Sequence, residues 1–197
     1  MPTGNSPDER FASMDQLVQH CREQRRRSCE HWKPPGQILP DVYQDLAGLK
    51  LGTDGAFLMN DWSFSQLCSL ARVNPDTVNR LSPNTAIQVF RETFPGGNKP
   101  LQLLADGETI RSVHGASYTR LWNIDLLNIV REYANDFAPP QEASTSGTGL
   151  YAGEQDMFVF LIDPAGWTEI DGQACAPGLF AWQSEDGRRP RRLGRLC

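Results

Sequence analysis

The sequence predicts an α+β protein in which N-terminal helices pack on a mainly antiparallel sheet formed by the second half. Three observations carry that reading. Apolar residues in the first hundred positions recur at helical spacing behind capping signals. The second half holds short apolar runs punctuated by Asp-Gly and Pro/Gly turns. A chain of 197 residues, 39% hydrophobic and 22% charged, can bury one substantial core. The expected organisation is a disordered lead over 1–11, one domain over 12–186 and a basic tail over 187–197.

The elements follow in order. Ser13-Met-Asp-Gln16 has the capping-box form, a hydroxyl at the N-cap and an amide three residues on. Behind it, Met14, Leu17, Val18, Cys21, Cys29 and Trp32 predict a helix that Lys33-Pro34-Pro35-Gly36 ends. Its outer face carries Arg22, Arg25, Arg26 and Arg27. Val42–Leu49 is ambiguous. Gly55–Met59 reads as a short buried strand, and Ser63–Ala71, Pro75–Leu81 and Asn84–Phe94 as three helices. Leu101–Ala105 and Glu108–Val113 flank Asp106-Gly107, a pair suited to a tight hairpin. Asn123–Tyr133 is a short amphipathic helix, and Phe137–Gly149 an exposed loop. Met157–Ile162 is apolar on both faces and predicts a central strand. Trp167–Ile170 and Gly178–Trp182 add strands, joined through the turn-prone Asp171-Gly172.

Charge is uneven beneath the net −5. Residues 33–186 hold 9 Lys/Arg against 19 Asp/Glu, whereas the last eleven residues hold five arginines and no acid. An acidic body does not favour broad polyphosphate binding, which comes mainly from Lys/Arg, although the tail supplies a local basic patch. Five scattered cysteines are unlike a secreted disulfide framework. No apolar run approaches the ~20 residues that cross a bilayer, and Met1 to Arg10 lack a signal peptide's apolar stretch. The expectation is a cytoplasmic protein with reduced thiols and no membrane partner.

From about Trp62 to Gly187 the chain resembles a phage- and plasmid-associated family, domain of unknown function 932. The likeness is carried by Ser63-Phe-Ser-Gln-Leu-Cys68, Leu101-Gln-Leu-Leu104, Ile110-Arg-Ser-Val-His-Gly115 and Tyr118-Thr-Arg-Leu-Trp-Asn123. It continues through Gly149–Pro164 and Ala176–Gly187. The resemblance implies residence on mobile elements and brings no active site. Family members continue past the Trp-Gln-Ser-Glu segment, whereas here the text turns to Arg-Arg-Pro-Arg-Arg.

Five constellations carry chemistry. Ser65–Leu81 resembles a helix-turn-helix that would turn Asp76, Thr77, Asn79 and Arg80 to the major groove, although an ordinary αα-hairpin has the same apolar pattern. Arg111, His114, Tyr118, Arg120 and Trp122 interleave cations with aromatics, which suits a nucleic-acid strand, although a polar loop anchored by Tyr118 and Trp122 is the simpler reading. His20, Cys21, Cys29 and His31 lack zinc-knuckle spacing, and on one helix Cys21 and Cys29 stand about 12 Å apart. Glu154 and Asp156 could share a strand face, but Asp163 falls roughly 23 Å further on. Arg188, Arg189, Arg191 and Arg192 read as a basic arm or as a non-native tail. No nucleophile motif or phosphate loop is present.

The expected function is therefore non-catalytic: a mobile-element accessory protein binding DNA, RNA or a nucleic-acid-processing complex. Arg80, Arg111, His114, Tyr118, Arg120 and the tail arginines would be the contacts, with no cofactor and no metal. The alternatives are an antagonist of a host defence or replication protein, of anti-CRISPR or anti-restriction type, acting through the acidic surface, and an enzyme of unknown chemistry.

Overall fold

The structure, a computed structural model, describes residues 9–140, 149–153, 156–187 and 192–196. In chain order the elements begin with β1 (Glu9–Arg10), α1 (Met14–Arg27), β2 (Ser28–Lys33), β3 (Ile38–Tyr43), β4 (Leu46–Leu51) and β5 (Ala56–Met59). Three helices follow, α2 (Asp61–Ala71), α3 (Pro75–Asn79) and α4 (Pro83–Thr93), then β6 (Leu101–Asp106), β7 (Thr109–Gly115) and α5 (Asn123–Tyr133). The last strands are β8 (Leu150–Ala152), β9 (Met157–Ile162), β10 (Thr168–Ile170), β11 (Gln173–Cys175), β12 (Gly178–Gln183) and β13 (Arg192–Leu196). The class is α+β with mainly antiparallel sheets. Among the described residues no helix is long and apolar enough to cross a membrane.

Where the sequence predicts one domain over 12–186, the chain divides into two compact units. Among the described residues the first unit takes Arg27–Thr119. It holds a curled six-stranded sheet in the order β2-β6-β7-β5-β4-β3, antiparallel except for the β5–β7 pair. Helices α2 and α4 lie on this sheet, and the core between them gathers Leu49, Leu51, Leu67, Phe90, Leu103 and Ile110. Phe64 and Phe90 meet edge to face, 6.0 Å between centroids. Each helix starts on a side-chain cap. Asn60, Asn74 and Ser82 accept from the backbone N–H three residues on.

Two elements of this unit depart from the sequence expectation. The first helix stops at Arg27, and Ser28–Lys33 becomes edge strand β2, paired with β6 from Ser28↔Asp106 to Lys33↔Leu101. No breaker marks that change, because the next Pro comes only at position 34. The ambiguous segment resolves as the hairpin β3–β4, whose turn residues Gln44 and Asp45 both take positive φ, 52° and 59°. That is the geometry of a two-residue hairpin turn, made here without the glycine that usually announces it. Gly48, in contrast, is required: a Cβ there would lie 2.6 Å from the Phe57 carbonyl oxygen.

The second unit takes the described residues of Ser6–Arg26 and Arg120–Cys197. Its sheet runs β1-β8-β9-β12-β13, with β9 inside it as the apolar run predicts. Met157, Val159 and Leu161 are buried, while Phe158, Phe160 and Ile162 on the other face are half-buried. From α1 this unit buries Leu17, Val18 and Cys21, and from α5 Ile124, Leu127 and Val130. The Cys21 thiol lies 3.9 Å from the Met157 sulfur. The expected lead is ordered at its end, where β1 pairs with β8 and the Phe11 N–H donates to Leu150 O. Part of the expected tail is likewise a strand, because β13 pairs along β12 from Trp182↔Arg192 to Gly178↔Leu196. The Phe180 ring covers Gly194, whose missing side chain leaves room for it. The turn at Asp171-Gly172 forms, both residues at positive φ, but it joins β10 to the short strand β11 and not to Gly178–Gln183, which pairs with β9 and β13 instead.

Candidate functional site

The second unit brings two sequence blocks together, Arg120-Leu-Trp-Asn123 and Gln183-Ser-Glu-Asp-Gly187. Helix α5 starts at Trp122, an N-cap residue that supplies no side-chain acceptor. Glu185 provides one from β12's end. Its carboxylate Oε1 accepts the Asn123 N–H at 2.6 Å, and the residue is only 2% exposed. A negative group at a helix start is favoured by the exposed N–H groups there. Gln183 adds two bonds from its amide, to Leu121 O at 2.7 Å and Asn123 Oδ1 at 3.0 Å. The Ser184 hydroxyl donates to the Asp186 carboxylate, and the Arg120 guanidinium donates to Glu185 O. Gln183, Ser184, Glu185 and Asp186 are all buried, so this four-residue polar run is an internal brace for the start of α5.

Outside that brace lies a cluster of cations. The Arg25 guanidinium sits 3.7 Å over the Trp122 ring, and that of Arg120 lies 5.5 Å from the same ring. Both distances are in cation–π range. Arg22, Arg25 and Arg26 are neighbours on α1 by their three- and four-residue spacing, and all three are exposed. Among the described residues Arg22 and Arg26 carry no ion pair. The cluster therefore combines two arginines steadied on one ring with two further cations beside them.

The predicted contacts are distributed differently from the sequence expectation. Arg111 is 4% exposed and is the extra residue of a β-bulge, because Leu104 pairs with Ser112 and Ala105 with Ile110. A guanidinium buried in the first unit is not offered to a ligand, which corrects its assignment as a surface contact. His114 and Tyr118 stack on each other, 3.8 Å between centroids and 12° between planes. Both belong to the first unit, while Arg120 and Trp122 belong to the second. Arg80 is exposed at the end of α3, its Nε donating to Asp76 O at 3.2 Å. The helix-turn-helix corner does form, with Arg72 taking the left-handed turn conformation (φ 56°) where a glycine is usual. Yet α3 has only five residues, about 7.5 Å of helix, too short to read a groove as a recognition helix does. Arg192 lies exposed on β13, and Arg188, Arg189 and Arg191 fall outside the described residues, as does Glu154.

A second cluster, in the first unit, was not legible as such. The Asp54 carboxylate oxygen Oδ2 takes both His31 Nδ1 at 2.7 Å and Lys33 Nζ at 3.0 Å. Lys33 first, and then His31, hold the Asp54 carboxyl below its ordinary value. His31 also lies 5.3 Å from the Phe57 ring. This clasp ties edge strand β2 to the β4–β5 turn. Among the described residues no group of three His, Cys, Asp or Glu is placed to hold a metal. Compared with known proteins, the chain matches no family model, no curated protein and no solved structure, so its motif resemblance brings no further residue to this site.

Proposed function

We propose that the protein acts by binding, with nucleic acid as ligand, through the arginine cluster of the second unit. The observation that carries this reading is Arg25 stacked 3.7 Å over Trp122, with Arg120 on the same ring and Arg22 and Arg26 alongside. Arginine is the cation best matched to phosphate, and resting it on a ring lowers the entropy lost on contact. The contacts thus move from Arg111, which is buried, to α1. The mobile-element setting rests on the motif resemblance alone.

The test is fluorescence anisotropy of labelled DNA and RNA at low salt. Arg22→Glu/Arg26→Glu should weaken binding at least tenfold, and Arg80→Ala should leave it within twofold. A larger loss from Arg80→Ala would return the function to the α2–α3 corner, and no binding by the parent chain would sink the reading.

One observation favours the reading of a protein-binding antagonist. The hairpin β10–β11 is almost wholly exposed and sets Trp167 (56% exposed) and Ile170 (52%) beside Glu169 and Asp171. A basic partner with an apolar groove fits that chemistry, and its co-purification with the chain, lost in Trp167→Ala, would support it.

A further inference from the structure

Resting on the nucleic-acid reading, we infer that the arginine cluster recognises its ligand through phosphates alone, so that duplex is preferred to single strand and no base stacks at this site. Sequence-tolerant single-strand binders gain affinity by laying bases on open aromatic faces. The second unit does not offer such faces at its cationic site. Trp122 is 9% exposed, with Arg25 against its ring, and so has no room for a base. Tyr151 has the Arg10 guanidinium 5.6 Å from its centroid and Phe158 at 6.3 Å. The open rings of this unit lie in other surroundings. Trp167 stands among Glu169 and Asp171, and Tyr133 follows Glu132 on α5. A polyanion approaching Trp167 meets these carboxylates.

What remains is charge. Arg22, Arg25, Arg26 and Arg120 can neutralise up to four phosphates. For duplex DNA that gives a slope of log affinity against log salt of roughly −3 to −4. Duplex packs phosphates more densely along its axis than a single strand does, so the same four cations release more counterions from it. The carboxylates elsewhere in the chain keep this binding modest and confined to one face.

The experiment uses the full chain and three labelled ligands of equal phosphate number: a duplex of mixed sequence, a single strand, and a single strand of abasic sites. Anisotropy is followed over several salt concentrations. The expected result is a several-fold preference for duplex, equal affinity within twofold for the two single strands, and a slope of about −3 to −4 on duplex. Arg22→Gln/Arg26→Gln, which leaves the Arg25–Trp122 stack in place, should flatten that slope by about two. A single strand with bases that binds several-fold tighter than its abasic counterpart overturns the inference and leaves the nucleic-acid reading standing. Binding to none of the three overturns both.

Discussion

Replacing Glu185 by alanine should unfold the second unit more readily than any surface substitution. The side chain is 2% exposed and its Oε1 lies 2.6 Å from the Asn123 N–H, itself in a residue 2% exposed. Removing a helix cap costs about 1 kcal/mol, within a range of about 0.5–2. Leaving the buried Asn123 donor without an acceptor costs about 1–3 kcal/mol, and the two figures overlap because they describe one bond. Truncating a buried four-atom group adds a cavity, so the loss should be about 2–4 kcal/mol. Urea melts followed by far-UV circular dichroism read this directly, and thermal melts should fall by roughly 4–16 °C at about 2–4 °C per kcal/mol. Glu185→Gln keeps an acceptor and should lose only about 1 kcal/mol, the share owed to charge at the helix start. An alanine variant within about 0.5 kcal/mol of the parent, the ordinary scatter of a surface change, refutes the brace. Equal losses in both variants would mean that charge, and not the acceptor, holds α5.

Gly48→Ala forces a Cβ to within 2.6 Å of Phe57 O, backbone that cannot swing aside, and should lower stability by about 1–3 kcal/mol in the same urea melts. Cys68 is fully buried, and that burial pushes its thiol from 9.0 up to about 11. Being raised in the folded state, it contributes stability that is complete below pH 9.0 and declines as pH rises toward about 11. Native Cys68 should therefore resist iodoacetamide at pH 8 while exposed Cys29 reacts, as mass spectrometry of digests can show. Asp54→Asn removes a carboxyl whose value is depressed in the fold. The parent should lose stability as pH falls below the ordinary 3.8, and the variant should lack that part of the acid limb in a pH series of melts.

The turns were legible because their chemistry is local. Asp171-Gly172 turns its hairpin with both residues at positive φ, and the β6–β7 hairpin forms one residue later than Asp106-Gly107 suggests, on Gly107-Glu108 with Gly107 at positive φ. Gln44-Asp45 makes the same kind of turn with residues that carry weaker signals, so β3–β4 stayed hidden. The end of α1 was hidden for another reason. The strand face of Cys29, His31 and Lys33 and that of Ser28, Glu30 and Trp32 are both mixed, so no alternation shows in the sequence. The site was least legible. Arg120 and Trp122 attract notice as a cation beside an aromatic, but their meeting with Arg25 and Glu185 depends on how α1 and the end of β12 pack, which no spacing encodes.

The path of the chain through its two units has a consequence during synthesis. Among the described residues the first unit is one uninterrupted stretch, Arg27–Thr119, set between the two stretches that compose the second. It can fold as soon as it leaves the ribosome. Helix α1 emerges before it and must wait: Met157, which meets the Cys21 thiol, comes 136 residues later. At ~5–20 residues per second that delay is roughly 7–27 s, during which Leu17, Val18 and Cys21 lack the strands that later accompany them. Nascent chains halted just long enough for residue 119 to clear the ribosome should thus hold a protease-resistant sheet unit and a helix still open to chaperones, and only the arrival of β9 and β12 should close the latter.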